Sequence, residues 1–257
     1  MIKSGICSLT LAEKSVNEVI AVAKEAGLEG VEWWGKDHVP HGGTAMAAKV
    51  RKLTESAGLE VSSYGSYYHA GVSEQEGLTF SSVLDTAIEL GAPTIRVWAG
   101  NRNYADAGKN LIKQVAADTM RIGDMSEKAG LTVTFEFHCN TLTDTNDGVK
   151  QFSSMVEHPA VFFSWQPPHG FSTAHCLDGL EWLLPRLSTI HVFHWTLSNE
   201  NTHIRHPLAS GADRWVKYNN AIRCSGRSHF ALLEFVKDNS PEQVIKDAET
   251  LRKLLCS

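Results

Sequence analysis

The chain lacks paired cysteines. Its five, Cys7, Cys139, Cys176, Cys224 and Cys256, are odd in number and none forms a C-x-x-C pair. A disulfide framework and a zinc knuckle both need cysteines at set spacings, so neither is expected, and a reducing cytoplasm is. No apolar run approaches the ~20 residues that span a bilayer, so no membrane partner is expected. The N-terminus enters the strand-like Ile2-Lys3-Ser4-Gly5-Ile6-Cys7 without the basic-then-apolar layout of a signal peptide. Lys and Arg form no block or stripe, and the net charge is -5. Phosphate neutralisation needs clustered cations, so nucleic acid is not expected as a partner. No G-x-G-x-x-G follows the first strand, which removes support for an open doubly wound sheet. No linker or low-complexity tract divides the chain, and 257 residues suit one domain over 1–257.

What is present repeats. Glu25-Ala26-Gly27-Leu28, Ser56-Ala57-Gly58-Leu59, Glu89-Leu90-Gly91-Ala92 and Lys128-Ala129-Gly130-Leu131 each end a helical pattern at glycine and precede a β-branched or aromatic run. Glycine suits the left-handed position just past a helix end, and the run then enters a buried parallel strand. Ser15 with Glu18 predicts a capping box, with Val16, Val19, Ile20 and Ala23 on one helix face. Ser240-Pro241-Glu242-Gln243 predicts the start of the last helix. Eight strand candidates alternate with helical stretches, which predicts an α/β fold, a (β/α)8 TIM barrel in a single domain. Residues 195–212 read as the longest irregular stretch, and such loops are often functional.

In such a barrel the site lies at the C-terminal strand ends. Glu136 ends the fifth strand candidate, Gln166 follows the sixth, His191 lies in the seventh and Glu234 ends the eighth. Alternation puts Thr132, Thr134 and Glu136 on one face, and Phe230, Leu232 and Glu234 on another. Any one of the four is readily explained as an ordinary buried polar group. Two carboxylates, an imidazole and an amide oxygen on consecutive strands instead suit one divalent metal ion, Mn, Mg, Co or Zn. Of 12 histidines, only His158 and His229 precede their strands; the others cluster at strand ends or in the loops after them. Trp33, Trp34, Tyr67, Tyr68, Trp98, Trp165 and Trp195 gather on the same side, about half of them expected as packing. An aromatic wall beside polar groups suits a small-molecule sugar or polyol substrate. The loop over 236–240 has no paired glycines, which favours an unphosphorylated one.

The segments Gly30-Val31-Glu32-Trp33, Thr134-Phe135-Glu136-Phe137, Phe163-Ser164-Trp165-Gln166-Pro167-Pro168-His169, His191-Val192-Phe193-His194-Trp195 and Leu232-Leu233-Glu234-Phe235 resemble the xylose-isomerase-like TIM-barrel superfamily. The pattern is similar to its sugar phosphate isomerase/epimerase branch, including tagatose and psicose epimerases and inosose dehydratase. The resemblance covers essentially the whole chain. It implies a metal site of Glu136, His191 and Glu234, with Gln166 where the family carries Asp. An amide oxygen still coordinates, but one negative charge is lost and binding weakens. The resemblance also implies His169 as a substrate ligand. Arg205 and His194 lie in the segment that follows strand seven in relatives, where His194 replaces an acidic residue. Trp34, Tyr68 and His138 complete the expected substrate-binding set. Relatives are often dimers or tetramers, and no feature of this chain marks a homo-oligomer interface.

The expectation is an enzyme of carbohydrate metabolism, a sugar isomerase or epimerase. Glu136 and Glu234 would exchange protons with the two faces of a keto-sugar or polyol-derived ketone, through an enediolate that the metal stabilises. Glu136-Phe137-His138-Cys139-Asn140-Thr141-Leu142-Thr143-Asp144-Thr145 is also similar to dehydroshikimate dehydratases, which makes a lyase the alternative. A non-catalytic sugar-binding barrel is the third reading. Endonuclease IV shares the fold, but Gln166 and the acidic balance argue against it.

Overall fold

Most of the strand segments are five or six residues long, rich in β-branched or aromatic residues and buried on both faces, which is the pattern of a parallel sheet covered by helices. The computed structural model describes residues 1–200 and 202–256. The chain runs β1 (Ile2–Cys7), α1 (Val16–Glu25), β2 (Gly30–Trp34), α2 (Thr44–Ser56), β3 (Glu60–His69), α3 (Phe80–Leu90), β4 (Thr94–Trp98), α4 (Lys109–Lys128), β5 (Thr132–Glu136), α5 (Asn146–Met155), β6 (Val161–Trp165), α6 (Thr173–Leu183) and β7 (Leu187–Val192). It continues through β8 (His194–Leu197), β9 (His203–His206), α7 (Ala212–Arg223), β10 (His229–Leu233) and α8 (Pro241–Cys256). Eight strands close in the order β1-β10-β7-β6-β5-β4-β3-β2, all parallel. This is the (β/α)8 barrel that the alternating pattern predicts.

Local signals hold where they were read. Ser15 and Glu18 make the reciprocal capping box of α1. Ser240 Oγ accepts from the Gln243 amide at the start of α8. Gly91 ends α3 in the left-handed region, with φ 71°, a conformation that disfavours any side chain. The core is the shell between strands and helices, where Trp33, Trp165, Trp215, Phe80, Phe135 and Phe152 are fully buried.

Much of the stretch 195–212 is regular among the described residues. His194–Leu197 and His203–His206 pair antiparallel as a hairpin, and a short 3-10 turn over Leu208–Gly211 leads into α7. Hairpin alternation sends Trp195, Leu197, His203 and Arg205 to one side, and His194, Thr196, Ile204 and His206 to the other. Asp247 of α8 anchors its root by accepting from the Leu208 amide at 2.9 Å.

Candidate active site

The C-terminal strand ends bring the expected carboxylates and imidazole together. Glu136 closes β5, His191 lies near the end of β7 and Glu234 follows β10; each is at most 5% exposed. The period-two pattern aims all three inward. Glu136 Oε1 and Glu234 Oε2 both lie 3.3 Å from His191 Nδ1. Gln166, just past β6, lines the same cavity as the two carboxylates. Its Nε2 donates to the Phe137 carbonyl at 2.8 Å. A carbonyl only accepts, so the amide orientation is fixed and Oε1 is the free end.

Sequence reading missed the layer behind these groups. Glu32 on β2 is fully buried, and Arg96 on β4 is 3% exposed. Arg96 Nε donates to Glu32 Oε1 at 2.9 Å, and its NH1 donates to Glu136 Oε2. Trp98 Nε1 donates to the same Glu136 oxygen at 2.5 Å. Glu32 Oε1 also faces His191 Nε2 at 3.4 Å, and its Oε2 accepts from Ser63 Oγ at 2.7 Å. The guanidinium fits because β3 carries Gly65 there: a Cβ on that residue would meet Arg96 NH2 at 2.7 Å. The alternation that finds Glu136 would also have found Thr94, Arg96 and Trp98 on β4, had it been applied there.

Three carboxylates and one guanidinium in a dry interior set the charge states. Burial would raise the Glu32 carboxyl, but Arg96 and His191 outweigh it and hold the value down to about 2. Burial is likewise outweighed at Glu136, where Arg96 and then His191 push the carboxyl far below its usual range. His191 is disfavoured as a cation by burial, yet Glu234, Glu32 and Glu136 hold it well above an ordinary histidine. In the protein without a metal, a proton on His191 therefore stands where positive charge is demanded.

A cavity of about 550 Å³ opens above this floor. Tyr67, Trp98 and His138 form one part of its wall, with ring centroids 4.7 Å apart for Tyr67–Trp98 and 5.1 Å for Trp98–His138. His169 and Trp195 form another, stacked at 4.7 Å, and His203 and Phe235 adjoin them. Burial and the neighbouring His203 and His138 push His169 down to about 4, so it is neutral at pH 7. Burial opposes a charge on His138, but Cys139 and Glu136 raise it to about 9.

His138 and His169 thus lie where sequence placed them, and four other expected substrate ligands do not. Tyr68 is fully buried and turns away, its hydroxyl donating to Asp118 Oδ2 and accepting from Arg121. The reason is one extra residue at Ser62, since Val31 pairs with Val61 but Glu32 pairs with Ser63; it exchanges the faces, so that Ser63, Gly65 and Tyr67 turn inward and Tyr68 turns outward. Trp34 is 8% exposed and packs on His38 and Tyr67, outside the cavity lining. His194 sits on the far side of the hairpin against His206. Arg205 shares the inner side but is spent on Asn239 Oδ1 at 2.8 Å and on the rings of Trp195 and Phe235. Trp33 and Trp165 belong to the core, which leaves Tyr67, Trp98 and Trp195 of the aromatic set in the wall.

The donor set fits a divalent cation. Gln166 Oε1 and both ring nitrogens of His191 are buried without a hydrogen-bond partner, a costly state for polar atoms that ligation relieves. Carboxylate, amide and imidazole donors suit Mg, Mn, Co or Zn. The acidic group Asp124, Glu127 and His158 is different in kind. There His158 accepts the Ala160 amide on Nδ1, so its other nitrogen carries the proton toward Asp124 and offers no lone pair.

Comparison with known proteins finds relatives that share this fold. A 3-dehydroshikimate dehydratase from Bacillus anthracis is 23% identical over 93% of both chains. The crystal structure of a probable 3-DHS dehydratase involved in petrobactin synthesis, from the same organism, superposes with a TM-score of 0.79 at 20% identity, over 98% of this chain and 99% of that one. A 3-keto-D-glucoside 4-epimerase from E. coli gives 0.73 at 14% identity, covering each chain completely. A xylose isomerase-like barrel from Mycobacterium smegmatis, solved in complex with magnesium, gives 0.72 at 15% identity over 99% and 97%. The family profile described as xylose isomerase-like TIM barrel matches residues 20–254. With nearly the whole chain inside that match and a closed eight-stranded barrel to carry it, this protein belongs to the xylose isomerase-like TIM-barrel family.

Proposed function

We propose that this protein is a metal-dependent dehydratase of a cyclic keto-polyol, taking a proton beside a carbonyl and expelling the β-hydroxyl as water. The observation that carries this is the inequality of the two carboxylates. Glu136 Oε2 is pinned by Arg96 and Trp98, and its other oxygen faces His191. A carboxylate so neutralised is a poor base, so its role is to hold the metal. Glu234 has His191 as its one ion-pair partner among the described residues and lines the cavity, so it is the group that removes the proton. When bound, the divalent ion polarises the carbonyl and stabilises negative charge on it. His138 and His169 line the wall and provide N–H groups for the departing oxygen. The α C–H pair becomes the new C=C bond, the β C–O bond breaks, and the hydroxyl leaves with a proton. The aromatic walls hold the apolar face of the ring.

The similarity to a 3-dehydroshikimate dehydratase supports this reading over an isomerase. Epimerisation is the second reading. It is favoured by the equal 3.3 Å approach of Glu136 and Glu234 to His191, which suits two groups serving opposite faces.

The test is ultraviolet absorbance with Mn-loaded protein and a panel that includes 3-dehydroshikimate and inosose. Growth of a new band is expected, from a conjugated ketone with inosose or from an aromatic acid with 3-dehydroshikimate, and Glu234→Gln should lower kcat by about 10²- to 10⁴-fold without altering the fold. Deuterium entering a C–H position from heavy water with no new band would instead establish the epimerase. Binding with neither signal would leave a non-catalytic barrel.

A further inference from the structure

Glu32 stands apart from every other acidic group at the site. It is fully buried and absent from the cavity lining, so it touches no substrate. All its contacts are internal: Arg96 Nε at 2.9 Å, Ser63 Oγ at 2.7 Å, Cys7 Sγ at 3.3 Å and His191 Nε2 at 3.4 Å. A carboxylate in such a place needs a reason, because its desolvation is costly.

Two features supply one. The first is the orientation of His191, whose Nδ1 faces Glu136 and Glu234 while Nε2 faces Glu32. Neutral imidazole carries one proton, and a carboxylate only accepts. A proton on Nε2 toward Glu32 leaves the lone pair on Nδ1, pointing at the two carboxylates of the metal site. The second is charge. Gln166 is neutral where the resemblance places an aspartate. Glu136 and Glu234 in front, Glu32 behind and the guanidinium of Arg96 sum to two negative charges around the imidazole, with His138 in the cavity wall outside this set. That sum matches one divalent ion with a neutral His191.

We propose that Glu32 is a positioning residue for the metal: it fixes His191 with Nδ1 as the donor, and it supplies from behind the negative charge that Gln166 removes from the front. The inference rests on the metal-dependent reading above. It differs from that reading in assigning work to a side chain that meets neither substrate nor metal. Outer partners of this kind set both ring orientation and ligand basicity.

The experiment is calorimetric titration of chelator-treated full-length protein with Mn²⁺ and Zn²⁺, comparing the native chain, Glu32→Gln, Gln166→Asp and the double variant. In Glu32→Gln the metal Kd should rise about 10- to 100-fold. Gln166→Asp should recover most of that loss in the Glu32→Gln background, because the missing charge is restored on the other side of the imidazole. Ser63→Ala, a mild change that loosens Glu32, should weaken metal binding in the same direction, and it keeps the test open if Glu32→Gln fails to fold. A purely structural role would shift Tm while leaving the isotherms unchanged, with nothing for Gln166→Asp to rescue; that result overturns the assignment to Glu32 alone. A native chain that takes up neither ion overturns the metal reading together with it, and the two failures are told apart by the native titration.

Discussion

Arg96 decides what the other groups at the site are able to do. Its guanidinium donates to Glu32 and Glu136 from two different nitrogens, with all three side chains almost wholly buried. Removing one partner of such a pair leaves uncompensated buried charge, which costs about 3–5 kcal/mol. Arg96→Met is therefore expected to lower unfolding stability in urea by that amount. Arg96→Lys should recover only part of it, because a single ammonium is a point charge and does not span two carboxylates with a planar fork. A loss below about 1 kcal/mol for Arg96→Met would show that the carboxylates are neutralised in another way. The four residues proposed to hold the metal were singled out in sequence because each sits at a strand end among obvious alternation. Glu32 and Arg96 were not singled out, since one charged residue inside a hydrophobic strand says nothing of which opposite charge it meets. Only closure of the barrel brings β2, β4 and β5 to one axis.

At the scale of elements, the helices, their caps and the order of strands follow from local pattern, and the departures occur where pattern is locally broken. Strand β3 is the clearest case. Counting by twos from Ser62 puts Tyr68 toward the barrel, but Val31 pairs with Val61 while Glu32 pairs with Ser63, and that extra residue exchanges the roles of the two tyrosines. A bulge has no signature in a run such as Val61-Ser62-Ser63, because a small serine suits either face of a strand. The hairpin β8–β9 was hidden for a related reason: its strands are four residues each and rich in histidine, so they read as loop. The tyrosines give a paired test. Tyr67→Ala should raise KM several-fold with little change in Tm, since Tyr67 lines the cavity and stacks edge-on to Trp98. Tyr68→Phe should leave KM unchanged and cost about 1–3 kcal/mol, as Asp118 loses a buried donor. Steady-state kinetics and urea melts on the two variants settle which face each ring serves; the opposite pattern would reverse the assignment.

At the scale of the whole molecule, histidine burial gives the protein a pH dependence with a defined sign. His38, His41, His169, His194 and His229 are all shifted downward, in each case first by loss of water around the ring. These five are spread from the loop after β2 to the start of β10, so no single site governs the effect. The folded chain resists protonating them, while the unfolded chain takes up protons near pH 6.5. Stability from this source is complete above that value and is lost as the pH falls, for His169 through its folded value of about 4. His138 and His191 are shifted the other way: near pH 7 they oppose the loss, and below about pH 6 both states hold their protons and they no longer do. Urea midpoints of chelator-treated protein should therefore fall from about pH 6 to 4.5. His169→Gln should flatten part of that limb while leaving the neutral-pH midpoint nearly unchanged. A midpoint constant across the range would mean that these rings titrate alike in both states, and that the barrel's buried histidines remain open to water.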